Sequence, residues 1–308
     1  MLKYLVLFQK SIKFAEYIVV EVIKIITKGR IGLMCHTIKK VLLYIFITLL
    51  LLIFVSVIVV KNSVIHVQLP HGAVLHVLPN NINNVANGAV IICPGGGYSY
   101  LEKWYEGYWW FPFFYLRGYT PAMLEYRMPR KNIKSPMTDG SEAIKTMRKY
   151  AKEWYFDENN IGIVGFSAGG HLASTMMVID NDAVRPDFGI LFYPVVSMKQ
   201  ELTHMDSRVQ LLGKDASEQL SELFCNELHV SEKTPPAFIA VTSDDEAVSP
   251  QGAILFHDKM CAKNRPVSLH VYPSGGHGWV CHLTSKYRRK ALDDLADWLS
   301  KRMETDKK

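Results

Sequence analysis

Residues 160–173, NIGIVGFSAGGHLA, restrict this chain more than any other stretch. Ile161, Ile163 and Val164 read as a buried strand, and the small residues after Ser167 read as the start of a helix. Gly165 and Gly169 flank the serine in a G-x-S-x-G turn that leaves no room for a loop between the two elements. Backbones can approach so closely only at glycine, and the serine between them is held in a strained conformation.

The residues after position 62 repeat this alternation of β-rich and amphipathic helical runs, the pattern of an α/β protein with a mainly parallel sheet covered on both faces. Strands are predicted at GAVLHVLP (72–79), NGAVIICP (87–94), TPAMLEYRM (120–128), NIGIVGF (160–166), PDFGILFYPV (186–195), PAFIAVTS (236–243) and PVSLHVYP (266–273). Helices are predicted at about 104–117, after Asp139 as an N-cap, from Ala168, at about 249–263 and at about 284–302. The last is amphipathic, with Leu292, Leu295, Ala296 and Leu299 on one face. The long interruption at 197–234 is the natural place for a short cap.

The N-terminal part obeys different rules. Residues 41–60, VLLYIFITLLLLIFVSVIVV, carry no charge, and twenty helical residues span roughly 30 Å, one bilayer core. Lysines and arginines cluster before this segment, which by the positive-inside rule leaves 1–40 as a basic cytoplasmic segment and exports residues 62–308 to the periplasm or outside the cell. A transmembrane signal anchor is the reading, since VSVIVVKNS makes a poor cleavage site. Residues 1–33 leave two alternatives: an amphipathic segment on the inner leaflet, or a true start at Met34. Residues 1–61 hold nine basic and two acidic side chains, leaving 26 basic against 27 acidic in the remainder. The basic balance is thus a topology signal, and no nucleic-acid partner is expected.

The five cysteines show no C-x-x-C pair and no metal-ligand spacing, so no metal is expected. A Cys261–Cys281 disulfide is conceivable in an exported domain, with free buried thiols the preferred reading. His66, His71 and His76 lie five apart without a metal pattern and read as surface residues.

A serine in such a turn becomes a nucleophile only with a base in reach and an acid to orient that base. Strand-turn-helix around G-x-S-x-G supplies the nucleophile elbow, and the partners are expected in the order serine, aspartate, histidine at successive strand ends. PAFIAVTS ends in Asp244-Asp245, and PVSLHVYP ends in the glycine-flanked loop containing His277. Asp245 is preferred over Asp244 because DEAVSP has the acid-x-x-Val-x-Pro form that leads into the next helix. His171, four residues after the serine, has no acid motif beside it and is read as structural. CPGGGYSY (93–100) follows a buried strand, and its glycines present unobstructed amides. The amide of Gly96 or Gly97, with that of Ala168, is expected to form the oxyanion hole; no G-K-[ST] follows, which argues against a phosphate loop.

PGGGYSY, EG at 106–107, EYRMP (125–129), GFSAGGHLA, LLGKDAS (211–217), PPAFIAVTSDDEAVSP and GGHGW together resemble the small α/β-hydrolase esterases grouped with bacterial acetyl xylan esterases and related carbohydrate acetylesterases. The similarity runs over about residues 65–303. It implies an α/β-hydrolase fold and a carboxylesterase acting on short-chain, acetyl esters of carbohydrate. It also implies Ser167 as nucleophile, Asp245 as acid, His277 as base, and Gly96, Gly97 and Ala168 as the oxyanion hole, with no cofactor. Cys225 stands where relatives commonly have a serine, and a membrane anchor is not a family feature.

Tyr98, Tyr100 and Trp279, near the glycine loop and the histidine, are expected to line the substrate site. Trp104, Tyr108, Phe111 and Tyr115 have helical spacing and are expected as a buried face rather than a sugar platform. A cap of fewer than forty residues suits a short acyl group on a bulky alcohol better than a long lipid chain. The rival readings are a peptidase or amidase of the same fold, formamidase-like, and a catalytically silent binding module, whose mark would be a missing triad member.

Overall fold

The computed structural model describes residues 47, 63–80, 86–130 and 132–305. The predicted membrane segment and the N-terminal segment before it lie outside the described residues except for Ile47, and among the described residues no helix is long and apolar enough to cross a membrane. The chain divides at Val64, and the second unit, from Ile65, carries all that follows.

Eight strands form one sheet: β1 (Ile65–Gln68), β2 (Val74–Val77), β3 (Gly88–Cys93), β4 (Tyr119–Glu125), β5 (Ile161–Phe166), β6 (Phe188–Phe192), β7 (Ala237–Thr242) and β8 (Val267–Tyr272). Their order is β1-β2-β4-β3-β5-β6-β7-β8. The six strands from β4 through β8 run parallel, while β1 and β2 form an antiparallel hairpin on the edge, with β2 antiparallel to β4. All seven predicted strands are present; β1 is an addition, a four-residue edge strand too short and too exposed to carry a periodic signal.

The helices are α1 (Phe111–Tyr115), α2 (Ser135–Tyr150), α3 (Ser167–Val178), α4 (Met205–Leu212), α5 (Glu218–Glu222), α6 (Pro250–Ala262) and α7 (Arg288–Thr305). Parallel strands are buried on both faces, so β3, β5, β6 and β7 read as unbroken apolar runs and every residue in them is buried. Ile163, Leu191, Ile239 and Val241 pack with Leu172, Met176, Ala253 and Phe256 of α3 and α6. The alternate residues of β6 and β7 face the other way: Phe192 meets Trp110, and Phe188 and Phe238 meet Trp298 of α7. Each such ring removed from water contributes on the order of 2 kcal/mol.

Three predicted local features are corrected. The helix expected at 104–117 is reduced to a 3-10 turn, Tyr108–Trp110, and the five-residue α1. Gly107 (φ −122°, ψ −95°) is non-helical, so the helical spacing of Trp104 with Phe111 and Tyr115 never becomes one face: Phe111 and Tyr115 are buried and Trp104 is 63% exposed. Asp139 caps nothing, because α2 starts four residues earlier with Pro136 in its first turn, where proline's missing N–H costs no hydrogen bond. Fully buried, it instead takes the guanidinium of Arg127 at 2.7 Å and the Arg127 amide at 2.8 Å, tying the end of β4 to α2. His76 is buried rather than a surface residue, bonded to His66 at 2.6 Å and to Glu125 at 3.1 Å. The described cysteines follow the preferred reading of free thiols: Cys93 and Cys225 are buried, Cys281 is partly buried and Cys261 is exposed.

Candidate active site

Ser167 stands where β5 ends and α3 begins, with φ +50°, a left-handed backbone that a non-glycine residue occupies at a cost. The glycines around it are required sterically. A Cβ at Gly165 would lie 2.6 Å from the Ala173 methyl and 2.5 Å from the Gly169 carbonyl oxygen. One at Gly169 would lie 2.1 Å from the carbonyl oxygen of Cys93, the end of β3. The helix can therefore start hard against the neighbouring strand, and the serine is lifted to the carboxyl edge of the sheet.

Two loops from the far side of the sheet reach this serine. The Ser167 hydroxyl is 2.9 Å from His277 Nε2, and His277 Nδ1 is 2.8 Å from Asp245 Oδ2. With Nδ1–H donated to the carboxylate, Nε2 is left to accept the serine proton. Asp245 is held in turn: its Oδ1 accepts the amides of Ala247 at 3.0 Å and Val248 at 2.9 Å, and its side chain is 1% exposed. Asp244 points the other way and accepts the amides of Gly275 and Gly276 at 3.0 and 2.9 Å. Those two amides, Gly276 first, hold its carboxyl below the usual range. Adjacent carboxylates thus do different work: one meets the imidazole, the other shapes the loop that carries it.

The glycine loop after β3 lies beside the serine. Gly96 (φ +121°) and Gly97 (φ +63°) have the positive φ that favours glycine, and a Cβ at Gly96 would lie 2.3 Å from the Tyr100 carbonyl oxygen. Beneath them sits a group to which the sequence motifs assign no role, the buried carboxylate of Glu106. Its Oε2 accepts the Gly95 amide at 2.7 Å and its Oε1 accepts the Tyr193 hydroxyl at 2.8 Å. Burial pushes this carboxyl above its ordinary range. Tyr193 follows β6 with φ +36°, and its ring packs edge-on against His277 at 4.9 Å. In the sequence Glu106 shows only as the first residue of the EG pair, and Tyr193 carries no signal: both act through contacts across 87 residues of chain.

His171 is not a partner of Ser167. It is fully buried, and desolvation lowers its pKa to about 4, so the ring is neutral. Its Nε2 must donate to the Phe224 carbonyl at 2.8 Å, which leaves Nδ1 to accept the Tyr98 hydroxyl at 2.9 Å. The pair joins the glycine loop to the cap between β6 and β7, which contains α4 and α5. Inside the cap, buried Arg208 donates to the carbonyls of Met198 and Ala216 and to Ser221 Oγ. Cys225 accepts the Met198 amide at 3.2 Å.

Two residues expected to line the site do not. Tyr98 (1% exposed) is turned inward by its bond to His171, and Trp279 (0%) packs against Tyr272 below the histidine loop, with a ring separation of 4.8 Å. Tyr100 does reach the surface, as do Trp104, Tyr105 and Trp109. Two of them touch loops of the site: the Tyr100 ring lies 3.2 Å from where a Gly96 Cβ would be, and the Tyr105 carbonyl accepts the Cys281 thiol from the histidine loop at 3.2 Å.

The family described as BD-FAE matches residues 77–260, more than half of the chain. The chain is 35% identical over 220 residues to an acetylxylan esterase of Xylanibacter ruminicola, covering 70% of this chain and 46% of that protein. It is 32% identical to endo-1,4-beta-xylanase B of Butyrivibrio fibrisolvens, over 64% of this chain and 33% of the relative. The chain therefore spans less than half the length of the curated relatives it matches. Among solved structures, an acetyl ester-xyloside bifunctional hydrolase from Caldicellulosiruptor lactoaceticus superposes with a TM-score of 0.68 at 30% identity, covering 75% of this chain and 89% of that one. A sugar hydrolase from Lactococcus lactis gives 0.67 at 25% identity, covering 79% and 99%. The fold is of the α/β-hydrolase type.

Proposed function

The chain belongs to the BD-FAE family, and on that premise we propose that it is a carboxylesterase with Ser167 as nucleophile, His277 as general base and Asp245 as the acid that orients it. The observation that carries this reading is the continuous hydrogen-bonded line from Asp245 through His277 to a serine held at φ +50°. In the proposed reaction the Ser167 oxygen attacks the ester carbonyl carbon while His277 Nε2 takes the hydroxyl proton. The resulting oxyanion accepts the amides of Gly96 or Gly97 and of Ala168; collapse breaks the ester C–O bond, and His277 returns the proton to the departing alcohol. Water then repeats the sequence on the acyl-serine, releasing the carboxylic acid and the free enzyme.

Short acyl esters of carbohydrate are the proposed substrates. Relatives named acetylxylan esterase and acetyl ester-xyloside hydrolase support that choice. So do exposed Tyr100 and Tyr105 beside the glycine and histidine loops, whose flat faces suit the apolar faces of sugar rings. Release of acetate from acetylated xylo-oligosaccharides, with p-nitrophenyl acetate turned over faster than the decanoate, is the expected result. A preference for decanoate would reject the short-acyl reading. Ser167→Ala is expected to lower turnover by roughly 10⁴-fold or more with the circular dichroism spectrum intact; substantial residual turnover would reject the mechanism. The apolar run 41–60 supports the further proposal of a membrane-anchored enzyme facing the exported side, which protease accessibility on intact cells tests.

A further inference from the structure

Glu106 is a buried carboxylate that the proposed reaction does not use, yet it touches two walls of the site. A Cβ at Gly95 would lie 2.7 Å from Glu106 Oε2 and 2.9 Å from Ser167 Cβ, so the carboxylate and the serine flank the same glycine. That glycine opens the loop whose next two amides are the proposed oxyanion donors. The other carboxylate oxygen holds Tyr193, whose ring forms one side of the His277 slot. Tyr193 also lies 3.4 Å from Cys281, on the loop that carries His277. A carboxylate offers an acceptor to both donors at once; a glutamine keeps one acceptor for the Gly95 amide and turns its amino group to Tyr193, whose hydroxyl must then reverse from donor to acceptor.

We propose that Glu106 is a positioning residue for ester hydrolysis, a two-acceptor brace that sets the glycine-loop amides and the Tyr193–His277 contact in register with Ser167. The proposal rests on the esterase reading of the site. It also has a thermodynamic side. Burial raises this carboxyl, so relative to the unfolded chain its ionised form is disfavoured and detracts from stability above the ordinary carboxyl range.

Glu106→Gln separates the two roles, because it keeps the side chain's size and removes the charge and the second acceptor. With p-nitrophenyl acetate, kcat is expected to fall about 10-fold to 100-fold, as for a misplaced oxyanion donor, while KM changes less than about 2-fold. The rate of fluorophosphonate labelling of Ser167 falls in parallel, since that adduct needs the same hole, and Tm at pH 8 stays equal or rises. Tyr193→Phe, which leaves the Gly95 bond in place, is expected to lose less than Glu106→Gln. A Glu106→Gln enzyme with kcat within 2-fold of the parent overturns the proposal, as does a kcat loss accompanied by a lowered Tm. If the parent protein itself neither labels nor turns over the ester, the esterase reading fails instead, and the two failures are told apart.

Discussion

Two neighbouring aspartates give the sharpest division of labour in the site. Asp245 meets His277 Nδ1 and is closed off from water, while Asp244 is exposed and holds two loop amides. Asp245→Asn removes the acceptor that fixes the imidazole tautomer, and kcat is expected to fall on the order of 10⁴-fold. Asp244→Asn keeps one acceptor for the loop and is expected to cost no more than about 10-fold. Parallel assays of the two variants check the assignment, and the reverse ranking would falsify it. Which of the two meets the imidazole is legible in the sequence, because within the acid-x-x-Val-x-Pro stretch Asp245 accepts the Ala247 and Val248 amides of the turn ahead of α6. Tyr98 and Trp279 are not legible at this scale. Being close in sequence to a site residue does not set which way a side chain points, and here buried partners turn both inward.

The strand-turn-helix unit is legible because its steric demands fall on adjacent residues. Strand β5, the glycines and α3 specify each other within about a dozen positions, and Asp245 and His277 follow the ends of β7 and β8 in chain order. Gly169→Ala tests how tight that unit is: the added methyl would sit 2.1 Å from a strand carbonyl, and neither backbone can yield alone. Destabilisation on the order of 3 kcal/mol, a drop in Tm of roughly 10 °C, is expected in a thermal melt. The segment from Trp104 to Tyr115 is illegible for the opposite reason. Its 3.6-residue spacing is real, but Gly107 interrupts it and Glu106 is held by residues far along the chain, so tertiary contacts override the local pattern.

For the molecule as a whole, the buried His171 couples the glycine loop to the cap and makes stability depend on pH. Its folded pKa is lowered to about 4 from an ordinary value of 6.5, so the unfolded chain binds a proton that the folded chain refuses. Stability from this group is therefore complete above about pH 6.5 and is lost as pH falls toward 4, by roughly 3 kcal/mol in total. Urea midpoints at pH 7 and pH 4.5 should separate more for the parent protein than for His171→Gln, which cannot take up that proton. Equal separation in the two proteins would remove His171 as the cause.

The proposed reaction draws its serine from the middle of the sheet and its base from the margin. Strand β5 lies between β3 and β6, whereas β8 is an edge strand, paired on one side only and half-exposed along most of its length. Hydrogen bonds at such an edge open with less free energy than those at the centre. The hydrogen-bonded line from Asp245 through His277 to Ser167 is thus as durable as its outermost member, and the site should come apart from the histidine end while the core around Trp110 and Trp298 is still closed. In a urea titration, esterase activity is expected to vanish at a lower concentration than the fluorescence of those tryptophans reports, with amide exchange in 267–278 running ahead of exchange in 161–166. Coincident transitions would mean that the edge is as firmly held as the centre.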